Sequence, residues 1–91
     1  MEFEWDEGKD ETNKRKHNIS FYTAQYAFAD PYRVIADDVD HSTKTEQRYF
    51  CFGKVEGEVI TVRFTQRKNS VRIIGAGFWR KGKKIYEKEN N

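Results

Sequence analysis

With 91 residues, the chain is expected to form a single domain, residues 1–91, around one small core. Charged residues make up 35% and aromatic residues 15% of the chain, so the core must rely on Phe, Tyr and Trp. No apolar run reaches the roughly 18 residues of a membrane span, and the acidic N-terminus lacks an export signal, which predicts a cytoplasmic protein without membrane contact. The lone Cys51 excludes an intrachain disulfide and is typical of a core residue.

The formal net charge of +2 conceals an uneven distribution. Nine cations and one acid lie between Arg63 and Lys88, whereas the segment from Asp30 to Glu58 holds seven acids and four cations. One part of the chain can therefore face a polyanion while the acidic segment lies away from it.

The first part of the chain predicts a strand and two helices. Phe3 to Trp5 alternates as a strand does, and Asp6 is a suitable N-cap for a polar helix from Glu7 to His17. This helix has acids early and cations late, the order that complements the helix dipole. Ser20 can cap a second helix. The i, i+3, i+4 and i+7 positions of that helix are Phe21, Ala24, Gln25 and Phe28.

Four strand signals follow Asp30-Pro31, the dipeptide that ends the second helix. They are separated by turns and comprise Tyr32–Ala36, Gln47–Val55, Val59–Thr65 and Val71–Ile74. A tight hairpin turn is expected at Glu56 to Glu58, and a final helix from about Arg80 to about Glu87. The order β-α-α-β-β-β-β-α predicts an α+β domain. Its two N-terminal helices and its C-terminal helix are expected on one face of a mainly antiparallel four- to five-stranded sheet.

The densest functional signal lies between Val71 and Glu87. A buried strand runs into Gly75-Ala76-Gly77, where the backbone can bend or approach a ligand without interference from a Cβ atom. Two aromatic residues and four cations follow directly, namely Phe78, Trp79, Arg80, Lys81, Lys83 and Lys84. This combination suits a partner that carries phosphates and stacking bases.

The order and spacing of residues along nearly the whole chain resemble those of the BrnT family of toxins. The first part of the resemblance is a strand ending in Trp-Asp, a polar helix, Asn-x-x-Lys-His, Ser-Phe and an Ala-rich helix. Here these positions are Trp5, Asp6, Asn13, Lys16, His17, Ser20, Phe21, Ala24 and Ala27, with Asp30-Pro31 after them. The second part consists of Arg48, Phe64-Thr65-x-Arg67, Arg72-Ile73-Ile74 and the Tyr86-Glu87 ending.

The resemblance implies a RelE-like fold and the toxin half of a bacterial type II toxin–antitoxin pair. It implies a ribonuclease that inhibits translation and arrests growth by cutting RNA. The implied partner is a BrnA-like antitoxin that covers the toxin and carries a DNA-binding domain, so DNA is expected to be contacted only through that partner. A hetero-oligomer is expected, for which two copies of each chain is one stoichiometry.

The chain departs from the family pattern at one place. Where many members read Ile-Ser-Ala-Arg, this chain has Ile74-Gly75-Ala76-Gly77, so the strand-end arginine of the family has no counterpart at position 77. Either Arg80 or Lys81 takes over that role from another backbone position, or the activity is weakened or altered. The first alternative is favoured, because glycines before a cluster permit its side chains to be re-aimed.

Metal-independent RNA cleavage needs groups that align the 2′-hydroxyl, move two protons and neutralise the phosphorane. His17 is the best general acid or base by type, since a free imidazole has a pKa of about 6.5, and Lys16 beside it favours the neutral form. The residues predicted to act in catalysis are His17, Arg67, Arg72, Arg80 and Lys81. The residues predicted to bind RNA are Lys16, Arg48, Trp79, Lys83, Lys84 and Tyr86. Tyr86 is also a secondary proton-donor candidate, and Trp79 can stack on a base.

Structural roles can account for the same residues without chemistry. His17 can serve only as a cation at the C-terminus of its helix, and Trp79 as the lid of a small core. Arg67 can be a turn residue, and Arg72 can pair with an acid across the sheet. The Lys83-Lys84 pair is typical of a solvated helix face.

The acidic loop, residues 37–46, gives no regular metal-ligand spacing. A site built from His41, Asp37, Asp38 and Asp40 is therefore not expected, His41 is interpreted as a loop residue, and no metal or other cofactor is predicted. Two other functions stay open: a non-catalytic RNA-binding module, and an interaction partner whose cationic face only receives an acidic antitoxin segment.

Overall fold

The computed structural model describes residues 1–91 and contains three helices and one five-stranded sheet. The strands are β1 (Glu2–Glu4), β2 (Val34–Asp37), β3 (Arg48–Val55), β4 (Glu58–Gln66) and β5 (Ser70–Gly77). The helices are α1 (Glu7–His17), α2 (Phe21–Ala24, continued by a 3₁₀ segment, Gln25–Ala29) and α3 (Arg80–Glu89). None of them is both long and apolar enough to cross a membrane. The predicted α+β class and the order of elements are confirmed.

The five strands lie side by side in the order β1-β5-β4-β3-β2. Only β1 and β5 run parallel, and the other neighbours are antiparallel. The β3–β4 hairpin closes at Val55 and Glu58 through two residues, Glu56 and Gly57, whose φ angles of 50° and 84° belong to the tight turn that the sequence predicts. The β4–β5 register shifts between Arg63 and Phe64, which leaves an extra residue on β5.

The helix boundaries follow from local hydrogen bonds. The Asp6 side chain accepts a hydrogen bond from the backbone N–H of Lys9 at 2.9 Å, and the Ser20 hydroxyl accepts one from Thr23 at 3.1 Å. Both residues are therefore the N-caps that the sequence predicts. Asn18 ends α1 in the left-handed conformation, with φ 57°, which Asn tolerates better than most residues.

The main core lies between the sheet and α2 with its 3₁₀ continuation. Every second residue of β3 and β4 points toward these segments, and we call this side of the sheet the core face. Its strand residues include Cys51, Ile60, Val62, Phe64 and Ile73, all 5% exposed or less. Phe21 and Ala24 of α2 are fully buried against them. At Gly53 the backbones touch, because a Cβ atom there would lie within 3.0 Å of backbone atoms of Ala27.

The prediction that all helices pack on one face is wrong, because α3 lies on the opposite side of the sheet. We call that side the groove face. Near the β3–β4 hairpin it carries a second apolar cluster in which Phe52 and Val59 contact Tyr86 of α3. The two clusters exist because the segment from Tyr49 to Phe52 is apolar at every position, so both faces of β3 need a cover.

Candidate active site

Beyond α3, the groove face carries polar residues that form the floor of an open groove. Residues directly opposite each other in the register share a face, so the floor can be assigned in two rows. The outer row contains Arg48, Thr65 and Arg72, and the inner row contains Phe50, Arg63 and Gly75. Three guanidinium groups therefore belong to one end of the groove face.

The arginines of this floor differ in their partners. Arg48 donates from Nε to Glu46 at 2.8 Å, and Arg72 donates from Nη1 to Glu4 at 2.8 Å. Both acids respond, because hydrogen bonds from Arg48 to Glu46, and from Ser70 and Arg72 to Glu4, lower the pKa of each carboxyl. Arg63 has no carboxylate partner. It is the one floor arginine whose charge is uncompensated.

Two buried side-chain atoms of the chain lack any hydrogen-bond partner, and they are neighbours in this groove. They are Nε of Arg63 and Oγ1 of Thr61, and both residues line the same cavity. A buried polar atom without a partner is rare in native proteins and indicates a missing ligand, water or functional strain. Both residues lie in the wall of that cavity, with Thr61 partly covered by Gly82 of α3.

Two cavities meet at Arg63 and Trp79, which line both of them. We call the larger one, about 560 Å³, the Phe50 cavity. Its walls include His41, Phe50, Thr61, Arg63, Trp79 and Lys81. The smaller one, about 340 Å³, is the α1 cavity, with walls that include Lys9, Lys16, His17, Arg63, Gly75 and Trp79. Together they form one cationic groove with an aromatic divider.

Gly77 makes room for Trp79, and Gly75 lies in ordinary contact with Arg63. A Cβ atom on Gly75 would lie 3.6 Å from Nη1 of Arg63, and one on Gly77 would lie 2.7 Å from the indole of Trp79. Both glycines belong to β5, which continues to Gly77, and neither has a positive φ. Of the two uses that the sequence allows these glycines, a bend or a close approach, the close approach is seen at Gly77, where the indole of Trp79 lies against the backbone. These glycines provide a flat surface on which the indole and the guanidinium lie.

The wall formed by α1 is held in place by buried polar contacts. The Asn13 amide donates to the carbonyl of Ala76 at 3.0 Å and accepts from its N–H at 3.1 Å, beyond the part of β5 that pairs with β1. Asp10 accepts from the backbone N–H of Phe21 at 2.8 Å. These bonds explain how a helix without apolar surface docks, and they bring Lys16 and His17 to the groove.

His17 and Trp79 meet at the edge of the α1 cavity. Their ring centroids are 5.1 Å apart with the planes at 70°, an edge-to-face contact, although the residues are 62 positions apart in the sequence. Trp79 is 38% exposed, so it is not the sealed lid of a core. Its indole is accessible to a base at the position where the two cavities join.

The first turn of α3 carries cations where a helix usually carries acids. Arg80 and Lys81 follow Trp79 directly, and no acidic residue lies in this turn. A helix N-terminus is electropositive, so two added cations raise the local potential and favour a bound anion. Lys81 lines the Phe50 cavity, whereas Arg80 and Lys83 line a separate cavity of about 390 Å³, which Trp79 also borders. Lys84 is exposed on α3.

Some predicted site residues lie apart from the two cavities. Arg67 is in the β4–β5 turn, where its guanidinium approaches Glu46 at 3.5 Å. Arg48 and Arg72 belong to the outer row and are engaged by acids, as the alternative assignment for Arg72 anticipates. Lys16, His17, Trp79 and Lys81 are the predicted residues that the fold brings together around Arg63.

Tyr86 anchors α3 and does not reach the groove. Its hydroxyl donates to Asp30 at 2.6 Å, and burial together with this carboxylate raises the pKa of Tyr86 to about 12. Burial raises the pKa of Asp30, but hydrogen bonds from Tyr86 and the backbone N–H groups of Lys54 and Tyr32 outweigh it and hold the pKa below its usual value. The hydroxyl proton of Tyr86 therefore lies in the hydrogen bond to Asp30 and does not point into the groove.

Arg63 and Phe50 were not among the site residues predicted from the sequence, and His41 was interpreted as a loop residue. The available signal was the strand alternation, which places Phe50 and Arg63 on the face opposite Cys51 and Val62. His41 could not have been found this way, because its loop has no register.

Metal ligation and other cavities add no competing site. No group of three or more His, Cys, Asp or Glu side chains is arranged to hold a metal ion. A cavity of about 590 Å³ beside Tyr26 and Lys54 has Asp30 and Glu56 in its wall, so acids outnumber cations there. That balance disfavours a polyanion.

One comparison with known proteins bears on this groove. The model of a family described as "Ribonuclease toxin, BrnT, of type II toxin-antitoxin system" matches residues 5–82. The matched region contains all of α1 and β2 to β5 and the start of α3, and hence the whole lining of the α1 cavity and that of the Phe50 cavity except Ile85. No curated protein matches the chain.

Proposed function

Because the chain belongs to the BrnT family of ribonuclease toxins from type II toxin–antitoxin systems, we propose that it cuts RNA in the groove that the Phe50 and α1 cavities form. Family membership makes the chain a toxin with ribonuclease activity and an antitoxin partner. Cleavage in this groove proceeds without a metal ion and depends on the groove's own side chains. The unit that acts is the single domain of residues 1–91.

The reaction is attack of a ribose 2′-hydroxyl on the adjacent phosphorus. The O2′–P bond forms as the P–O5′ bond breaks, which leaves a 2′,3′-cyclic phosphate and a 5′-hydroxyl. The enzyme must place the phosphate, neutralise the charge of the phosphorane and move one proton at each side of it. Cations and imidazoles can do this work without a metal ion.

Arg63 is the residue that binds the scissile phosphate. Its guanidinium lies between the two cavities and has no carboxylate to compete with the ligand, so a phosphate oxygen is the natural acceptor for its donors. Lys16 and Lys81 contribute charge from the two ends of the groove. The unpaired Arg63 is the single observation that carries this assignment.

Trp79 positions the nucleotide next to that phosphate. A base stacked on an exposed indole is stabilised by about 1–3 kcal/mol, independently of its sequence. His17 touches the same indole and supplies one proton-transfer group beside the base. Arg80 and Lys83, in the separate cavity that Trp79 also borders, guide the flanking strand. Arg48, Arg67 and Arg72 form an outer cationic rim whose charge is partly compensated by acids.

The antitoxin blocks this groove. A BrnA-like partner with an acidic segment would compete with RNA for Arg63 and Lys81, and its DNA-binding domain would bring the complex to the operon. In the free toxin, cleavage of transcripts in the cytoplasm would stop translation and growth. A hetero-oligomer with two copies of each chain is consistent with such a pair.

The direct test uses toxin that has been separated from its antitoxin and incubated with RNA in EDTA, both as free RNA and on translating ribosomes. Fragments with 2′,3′-cyclic phosphate ends are expected from at least one of the two substrates. Cleavage that requires added Mg²⁺ would contradict metal independence. RNA binding without cleavage would favour a non-catalytic module, and no RNA affinity even at low salt would leave only an antitoxin-binding role.

A further inference from the structure

A second histidine lines the groove from the side opposite α1. His41 ends the 3₁₀ segment Val39–His41 and lines the Phe50 cavity together with Arg63, Trp79 and Lys81. Its ring is about half exposed, with a side-chain exposure of 53%. His17 lines the other cavity, so an imidazole lies on each side of the shared Arg63.

His41 is held by a buried carboxylate. Its Nδ1 lies 3.0 Å from both carboxylate oxygens of Asp38, whose side chain is only 3% exposed. An ionised carboxylate can only accept, so the shared proton belongs to Nδ1 of the imidazole. This fixes the tautomer and leaves Nε2, which has no partner in the chain, with a free lone pair.

The loop does not need this imidazole to keep its shape. The backbone N–H of Asp38 donates to the carbonyl of Arg48 at 2.8 Å, and the N–H of Arg48 donates to the Ser42 hydroxyl at 2.8 Å. The same hydroxyl donates to the carbonyl of Asp38 at 2.7 Å. Both carboxylate oxygens of Asp38 contact the half-exposed His41. The carboxylate therefore orients this histidine and adds little to the stability of the loop.

We propose that His41 is the general base of RNA cleavage and that Asp38 is its positioning residue, an assignment that rests on the proposed ribonuclease site. Nε2 of His41 takes the proton of the attacking 2′-hydroxyl as the O2′–P bond forms. The P–O5′ bond breaks, and His17 donates a proton to the leaving 5′-oxygen. His17 is placed for the acid role because it lines the cavity on the other side of Arg63 from His41. The products are a 2′,3′-cyclic phosphate and a 5′-hydroxyl.

The charges around His41 come from three other elements. Asp37 at the end of β2, Arg63 of β4 and Lys81 of α3 all line the same cavity. Asp38 adds a buried carboxylate 3.0 Å from Nδ1 of His41 to this set of charges. The pH dependence of cleavage therefore depends on all of these charged groups together. Substitutions at His41 itself are needed to identify its own contribution.

The test compares single-turnover cleavage of an oligoribonucleotide by wild type, His41→Gln and His41→Ala. We expect both variants to cleave at least about 100-fold more slowly, the usual contribution of a general base. Binding of the same oligonucleotide with 2′-deoxyribose at the scissile position should stay within twofold of wild type. Added imidazole should restore His41→Ala but not His41→Gln, because only the smaller side chain leaves room for it. Lys44→Gln, an exposed change in the same loop, is the matched control.

Asp38 is tested by the isosteric change Asp38→Asn, with Asp40→Asn as the control for lost loop charge. Asn can donate to Nδ1 and so favours the wrong tautomer, which should slow the chemical step about 10-fold or more without changing KM or the unfolding midpoint. A purely structural role would instead shift the midpoint and leave the rate of the folded fraction unchanged.

The outcomes separate the two proposals. If wild type cleaves RNA and His41→Gln cleaves within about threefold of it, the base assignment is overturned and the ribonuclease site stands. If His41→Ala is slow but imidazole gives no recovery and deoxy-oligonucleotide binding is lost, His41 binds RNA and is not the base. If wild type itself does not cleave RNA, free or on ribosomes, both proposals fail together.

Discussion

The two faces of the sheet are built from the same strands but differ in how their buried polar atoms are hydrogen-bonded. On the core face, residues such as Cys51 and Val62 are fully buried, and no side chain there is left with an unmet hydrogen bond. On the groove face, Thr61 and Arg63 alternate with those core residues, and each carries a buried polar atom without a partner. Buried polar atoms without hydrogen-bond partners therefore occur on the groove face and not on the core face.

The contrast also separates stability from function within single strands. A residue and its sequence neighbour in β4 point to opposite faces. A substitution on the core face therefore changes the packing of the core, and a substitution at the next residue changes the groove. The groove face is itself divided, because α3 covers the end with Phe52 and Tyr86 and leaves the arginine end open. Substitutions at these three places should have three distinct phenotypes.

The largest effect is expected from the same change at two strand glycines. Gly53→Ala forces a Cβ atom against the backbone of Ala27 on the core face and should cost about 3 kcal/mol or more. Gly77→Ala meets only the half-exposed indole of Trp79, which can swing toward solvent. That variant should unfold within about 1 kcal/mol of wild type but cleave RNA several-fold more slowly. Denaturant unfolding and RNA cleavage of both variants test the contrast, and equal destabilisation would erase it.

A change at Arg63 should affect activity alone. Arg63→Met keeps the apolar stem over Gly75 but removes the guanidinium, so cleavage should fall about 100-fold or more, as for the loss of one oxyanion donor. Stability should be unchanged or slightly higher, because an unpartnered buried Nε is removed with the charge. Arg33→Met, which removes an exposed cation away from both cavities, is the control. Equal loss of activity in both variants would point to net charge as the cause.

The smallest of these effects should appear under α3. Tyr86→Phe removes a hydrogen bond to the Asp30 carboxylate, which should cost about 1.5 kcal/mol and lower the midpoint by about 5–10 °C. The folded enzyme should cleave RNA at the wild-type rate. Loss of cleavage without loss of stability would restore Tyr86 as a proton donor.

The Tyr86–Asp30 bond also predicts how stability depends on pH. The pKa of Tyr86 is raised to about 12 from an unfolded value near 10, so its contribution is complete below pH 10 and is lost as pH rises toward 12. The pKa of Asp30 is lowered, so its contribution is present above about pH 4 and is lost as pH falls. In Tyr86→Phe the alkaline loss should vanish and the acid loss should weaken.

Much of the fold could be predicted because its signals are local. The caps Asp6 and Ser20, the turn at Gly57 and the alternation in β4 each depend on a few neighbouring residues. The face chosen by α3 could not be predicted in this way. A strand that is apolar at every position, as from Tyr49 to Phe52, requires cover on both faces without saying which helix supplies it.

The site was harder to predict because its contacts join distant positions. His17 and Trp79 come together only after α1 docks on β5, and Arg72 finds Glu4 only through the parallel β1–β5 pairing. The cluster after β5 contributes Trp79 and Lys81 to the proposed groove, but the cation at the centre of that groove, Arg63, lies on β4. Arg63 has an ordinary strand context in the sequence, and only the folded structure shows that it is the arginine of the groove floor without an acidic partner.

The most direct measurement follows the two tryptophan indoles by NMR while an uncleavable, 2′-deoxy-substituted RNA is added. Trp79 lies in the groove and Trp5 packs against Phe21 beside the core, so the chain carries its own control. RNA should shift the Trp79 indole N–H and the Nε–H of Arg63 and leave the Trp5 indole in place. Shifts at Trp5 with Trp79 and Arg63 unchanged would contradict the assignment of the groove as the RNA site.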